Sequence, residues 1–162
     1  MRYYLGLGAN VGDLESNLAK ARARLEKNGV RIVSASSLYR TEPVGCSGQP
    51  WFLNQVIEVE TEFSPGELLR LAKRIERGMR RRSGPPDNPR PIDIDILLSG
   101  DSVFHTEQLT IPHPRLTERN FVLIPLAEIA PELVHPVFHK TIETLRRESE
   151  DRARVERIKK RP

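Results

Sequence analysis

The chain has 162 residues, 26 Lys+Arg against 22 Asp+Glu, one Cys, 38% hydrophobic and 6% aromatic residues. That length suits a single domain, taken here as 1–162, and the apolar fraction fills a core, which excludes global disorder. Cys46 alone excludes an internal disulfide or a cysteine-based zinc site, and His105, His113, His135 and His139 form no HExxH helix.

No apolar run is long enough to cross a bilayer, and the N-terminal stretch MRYYLGLGAN has no secretory pattern. A cytoplasmic protein without a membrane partner is the expectation. The net charge of +4 sits in residues 140–162, which hold nine Lys+Arg and five Asp+Glu, while the remaining residues balance. A basic face for nucleic acid is therefore not expected. The tail from about 147 reads as a charged, solvated C-terminal helix.

In chain order, residues 2–8 read as a buried strand, and GLGANVG reads as a tight strand-to-helix turn. The latter has its third glycine one position late for a dinucleotide fingerprint. Asp13 is a helix N-cap, with Leu14, Leu18, Ala21 and Leu25 at helical spacing before Asn28-Gly29 ends the helix. Residues 30–40 alternate and are rich in β-branched side chains, so a strand is expected. TEPVGCSGQP packs two Pro and two Gly into ten residues and must be a loop. Residues 51–62 form the antiparallel partner of 30–40. Ser64-Pro65 opens a helix through Met79, and residues 80–91, with four Pro and four Arg, form a second loop. Residues 92–98 alternate strictly, 103–111 add a small hairpin, and the region after Pro112 breaks into short helices. The order predicts an α+β protein with a ferredoxin-like antiparallel sheet, βαββαβ, and helices on both faces.

Asp93 and Asp95 are the sharpest chemical feature. Two residues apart on a strand, they share one face, with Cα atoms about 6.6 Å apart, while Ile92, Ile94 and Ile96 point into the core. Paired carboxylates beside Arg80, Arg81, Arg82 and Arg90 suit divalent cations that hold phosphates, with guanidinium groups neutralising charge. His113, held between prolines near Arg115 and Arg119, reads either as a surface histidine in a proline-stiffened turn or as a phosphate contact.

Together LGLGANVGD, SSLYRTEPVG, QPWFLN, RIERGMRR, PRPIDIDILL and LTIPHPRLTERNFVLIPLAEIAPEL make the chain, over roughly residues 2–135, resemble the 6-hydroxymethyl-7,8-dihydropterin pyrophosphokinases of folate biosynthesis. The resemblance implies transfer of pyrophosphate from ATP, as co-substrate, to the pterin hydroxymethyl group, with release of AMP. It implies two Mg2+ ions on Asp93 and Asp95. It implies a pterin site of Thr41, Pro43, Val44, Phe52, Asn54, Asp93 and Phe121. The ATP side would use Glu76, Arg81, Arg90, Ile96, Leu109, Thr110, His113 and Arg119, with Arg81 and Arg90 catalytic alongside the aspartates. A monomer acting on small molecules is expected. The chain departs from the family where Asp87-Asn88-Pro89-Arg90 replaces Trp-Gly-Pro-Arg, and Arg80 replaces a glycine, leaving Arg81 and Arg82 as alternatives. An RNA-binding module on the same topology would need an aromatic, basic central strand, and the Asp pair stands in its place. A related phosphotransferase with another acceptor differs only in its products.

Overall fold

The computed structural model describes residues 1–43, 48–79 and 91–158. Strand β1 (Arg2–Ala9) leads to helix α1 (Leu14–Lys27), which Asp13 caps by accepting the Ser16 N–H at 3.1 Å. Gly29, at φ 91°, turns the chain out of the helix, a conformation cheap only for glycine. Strand β4 (Phe52–Glu60) precedes α2 (Pro65–Met79), which opens with a reciprocal cap between Ser64 and Glu67.

The single strand expected over 30–40 is two strands, β2 (Arg31–Ala35) and β3 (Tyr39–Thr41), both antiparallel to β4. The interruption is an inserted residue: Ala35 faces Ile57 and Tyr39 faces Asn54, so three residues oppose two. Ser36 heals the ladder with its hydroxyl, which accepts the Val56 N–H at 3.0 Å.

Strand β5 (Asp93–Leu98) is followed by a hairpin of β6 (Phe104–His105) and β7 (Thr110–Ile111), a 3-10 turn at Leu116–Glu118, α3 (Asn120–Ile129), α4 (Ile142–Glu148) and β8 (Val155–Arg157). The main sheet runs β5-β1-β4-β3-β8, with β2 also on β4, and every pair is antiparallel. Helices cover both faces. Tyr3, Leu5 and Leu7 of β1 pack in a core with Leu18 and Leu25 of α1 and Leu68 and Ile75 of α2. Tyr4, Val56 and Leu97 pack on the other face against Leu123 and Leu126 of α3 and Leu145 of α4.

The C-terminal helix expected through the charged tail ends at Glu148. Ser149 is extended (φ −63°, ψ 133°), and the chain returns as β8 along the free edge of β3. An open strand edge offers unpaired backbone groups, and pairing them outweighs the helical tendency of a polar segment with no apolar stripe. Gly6 and Gly8 lie inside β1, within the strand expected over 2–8, and of the glycines in GLGANVG it is Gly12 (φ 81°) that serves the turn.

Ile57, fully buried at the centre of β4, reports on this packing. Ile57→Ala is expected to cost about 2–5 kcal/mol, read as a lower urea midpoint at unchanged m-value.

Candidate active site

Strand periodicity builds the site. Asp93, Asp95 and Leu97 share one face of β5, and Ile94 and Ile96 the other. Across the β1 ladder, Gly8 stands opposite Asp93 and Gly6 opposite Asp95. On the other side of β1, Gly8 faces Asn54 and Gly6 faces Val56. Two residues without side chains therefore separate a carboxylate wall from an amide wall. A cleft of about 200 Å³ opens over them.

Of the residues singled out from the sequence, Thr41, Phe52, Asn54, Asp93, Asp95, Arg119 and Phe121 line this cleft. Asn54 is buried and donates through Nδ2 to Thr41 Oγ1 at 2.6 Å, which fixes the amide. Its Oδ1 occupies the space above Gly8, where an added Cβ would lie 2.6 Å away. Phe52 pairs with Thr41 in the β3–β4 register. Phe121 stands in the first turn of α3, and the Arg119 guanidinium lies 5.5 Å from its ring centroid, a cation–π contact. Burial pulls the Arg119 pKa below its ordinary value and Arg115 adds to this, while Asp95 opposes it. The cleft thus carries carboxylates and a partly desolvated guanidinium together.

His113 stands beside this constellation and donates its backbone N–H to Leu97 O at 2.8 Å. Burial first, then the charges of Arg119 and Arg115, push its pKa down. Nδ1 accepts the Arg115 N–H at 3.2 Å, which assigns the proton of the neutral ring to Nε2. Glu76 is buried at the outer edge of β5. It accepts the Ile94 N–H at 2.9 Å and lies 3.5 Å from Lys73 Nζ. Burial raises its pKa, and the charges of Asp93 and Asp95 add to the effect.

Ile96, by contrast, is buried in the α1/α2 core, because it alternates with Asp95, so its side chain is turned from the cleft. Leu109 packs against the same core and Thr110 lies on the β6–β7 hairpin, its Oγ1 3.0 Å from His105 Nδ1. Pro43 follows the cleft residue Glu42. Val44, Arg81 and Arg90 lie outside the described residues. Gly6, Gly8, Glu42 and Leu97 line the cleft without having been read from the sequence. For the glycines the signal existed, as two glycines at a spacing of two inside a strand. Asp93 and Asp95 supply hard oxygen donors on one face above a floor free of side chains, a donor set that fits a divalent cation such as magnesium.

A family model described as 7,8-dihydro-6-hydroxymethylpterin-pyrophosphokinase matches residues 4–131. The chain is 44% identical over 131 residues to the 2-amino-4-hydroxy-6-hydroxymethyldihydropteridine pyrophosphokinase of Bacillus subtilis, covering 80% of this chain and 78% of that one. It is 40% identical over 146 residues to the protein of that name in Aquifex aeolicus, covering 90% and 91%. It is 45% identical to the folic acid synthesis protein fol1 of Schizosaccharomyces pombe over 86% of this chain but only 19% of that longer protein. The crystal structure of wild-type Plasmodium falciparum HPPK-DHPS superposes with a TM-score of 0.72 at 18% identity, covering 91% of this chain and 44% of that one, a likeness of fold.

The tight floor is testable. Gly8→Ala is expected to displace the Asn54 amide, shifting its side-chain resonance in an amide NMR spectrum, and to cost about 1–3 kcal/mol. Gly6→Ala meets Leu97 only at 3.5 Å and is expected to be tolerated. His113 is expected to titrate below the ordinary value of about 6.5 in an NMR titration. Its folded pKa is depressed, so its contribution to stability is present above that value and is lost as pH falls through it toward the folded pKa. His113→Gln should flatten that slope in urea midpoints measured against pH.

Proposed function

The chain belongs to the 7,8-dihydro-6-hydroxymethylpterin-pyrophosphokinase family, and on that premise we propose that it transfers the pyrophosphoryl group of ATP to the hydroxymethyl oxygen of 6-hydroxymethyl-7,8-dihydropterin, releasing AMP, in folate biosynthesis. The observation that carries this reading is the convergence, in one cleft, of two carboxylates, a fixed amide and two phenyl rings. The hydroxymethyl oxygen gives up its proton to solvent and forms a bond to the β-phosphorus. The bond from that phosphorus to the α,β-bridging oxygen breaks, and the oxygen leaves with AMP.

Phe52 and Phe121 hold the flat heterocycle by its faces, and Asn54, immobilised on Thr41, presents its carbonyl oxygen to the polar edge. Pro43 and Val44 are assigned to the pterin on the family resemblance. Asp93 and Asp95 would hold two Mg2+ ions, which supply charge neutralisation along the polyphosphate when bound. Arg119 adds a guanidinium to the phosphate side, and neutral His113 offers its Nε2–H to a phosphate oxygen. Leu109 and Thr110 belong to the nucleotide side. Glu76 and Ile96 act through the β5 backbone, the first by a hydrogen bond and the second by packing. Arg81 and Arg90 are assigned to the transferring phosphates, where positioning and charge stabilisation do the chemistry. The strand order, with β1 between β5 and β4, supports reading the sheet as ferredoxin-like.

The deciding assay supplies magnesium, ATP and the hydroxymethyl dihydropterin and identifies products by chromatography. AMP with the pterin diphosphate is expected, and ADP in place of AMP would overturn the reading. Asp95→Asn should lower kcat by about a hundred- to a thousandfold at an unchanged urea midpoint.

A further inference from the structure

The segment after α4 lies beyond residues 4–131, the stretch matched by the family model, yet it contacts both α3 and the end of β3, which border the cleft. On one side it completes α3. Arg119, which precedes that helix, gives no side-chain cap to its first turn. Asp151 does so from 31 residues away: Oδ2 accepts the Asn120 N–H at 2.8 Å, and its carbonyl accepts Asn120 Nδ2 at 2.9 Å. The other carboxylate oxygen accepts the Ala153 N–H at 2.9 Å, fixing the turn that presents it. A carboxylate at a helix N-terminus is favoured by both the hydrogen bond and the helix dipole.

On the other side the same segment grips the end of β3. The Arg154 N–H donates to Glu42 Oε1 at 2.6 Å, and the Arg154 carbonyl accepts the Glu42 N–H at 3.0 Å. The guanidinium of Arg154 lies 5.6 Å from the Trp51 ring centroid, with Arg40 4.7 Å from the same centroid. Strand β8 then pairs with β3, Val155 opposite Thr41 and Arg157 opposite Tyr39.

Phe121 follows Asn120, and Phe52 follows Trp51. The far end of α3 is pinned separately, because the Glu128 carboxylate accepts the Ser37 N–H, the Ser37 hydroxyl and, at 2.6 Å, the Tyr39 hydroxyl. A helix held at one end still pivots, and the Asp151 contact supplies the second pin, next to Phe121. We propose that residues 151–157 form a strap that sets the separation of the two aromatic walls, with Asp151 and Arg154 as positioning residues for the pterin. The inference rests on the pterin reading of the cleft.

The test uses the full chain and steady-state kinetics with both substrates. Asp151→Ala should raise the KM for the dihydropterin about tenfold, the loss of one charge-assisted hydrogen bond, with a smaller rise, of about threefold, in the KM for ATP because Arg119 precedes the same turn. Asp151→Asn, which keeps one acceptor oxygen, should recover part of that loss. Trp51 is the single tryptophan, so its emission reports on the strap directly and should change in both Asp151→Ala and Arg154→Ala. If Asp151→Ala does not fold, Arg154→Ala carries the same test, with a rise of about threefold in the pterin KM alone, an effect of cation–π size. An unchanged pterin KM, or an equal rise for both substrates, overturns the strap. If the wild-type protein forms no pterin diphosphate, the pterin reading falls. The strap is then judged without substrate, by hydrogen exchange at the amides of Phe121–Leu123. Unchanged protection there in Asp151→Ala overturns it, and faster exchange sustains it.

Discussion

A trough in this sheet exists only because Gly6 and Gly8 face Asp95 and Asp93 across the β1–β5 ladder. In an antiparallel sheet, neighbouring side chains on one face stand close enough to fill the space between strands. Removing two of them from the middle strand leaves carboxylates on one side and Asn54 and Val56 on the other, with backbone as the floor. The cost is weaker packing and greater chain entropy in β1, and the opposite face offsets it. There Tyr3, Leu5 and Leu7 are fully or almost fully buried. The same strand is thus core on one side and cleft floor on the other.

Charge follows from that geometry. Carboxylates two residues apart raise the cost of ionising any acid nearby, which is why Asp93 and Asp95 add to the upward shift of buried Glu76. The opposite sign gathers beside these carboxylates, where burial and the charges of Arg119 and Arg115 push the His113 pKa down. A neutral histidine with its proton on Nε2 and a partly desolvated arginine form a donor surface suited to phosphate oxygens.

The far segments of the chain decide how the cleft is walled. Helix α3 carries Arg119 and Phe121 at its start and Glu128 near its end, and the sheet beneath it contributes Tyr39 and Ser37 as anchors. The returning C-terminal segment closes the frame through Asp151 and Glu42. These contacts join residues 31 to 112 positions apart, and none involves an apolar pattern.

Periodicity made the core elements legible from residues alone. Asp13 and Ser64 announced helix starts, β5 showed its alternation, and the shared face of Asp93 and Asp95 followed from a spacing of two. Those are local properties, set by backbone geometry within a few residues. The break at Ser36 and the return of the tail as β8 were settled by partners elsewhere in the fold. The first depends on a hydroxyl matching the Val56 N–H, and the second on an unpaired edge at β3. The glycines of β1 lie between the two cases. Their spacing is written in the chain, but their meaning depends on Asp93, Asp95 and Asn54 arriving opposite them. Sequence specifies which residues share a face, whereas only strand register specifies which faces meet.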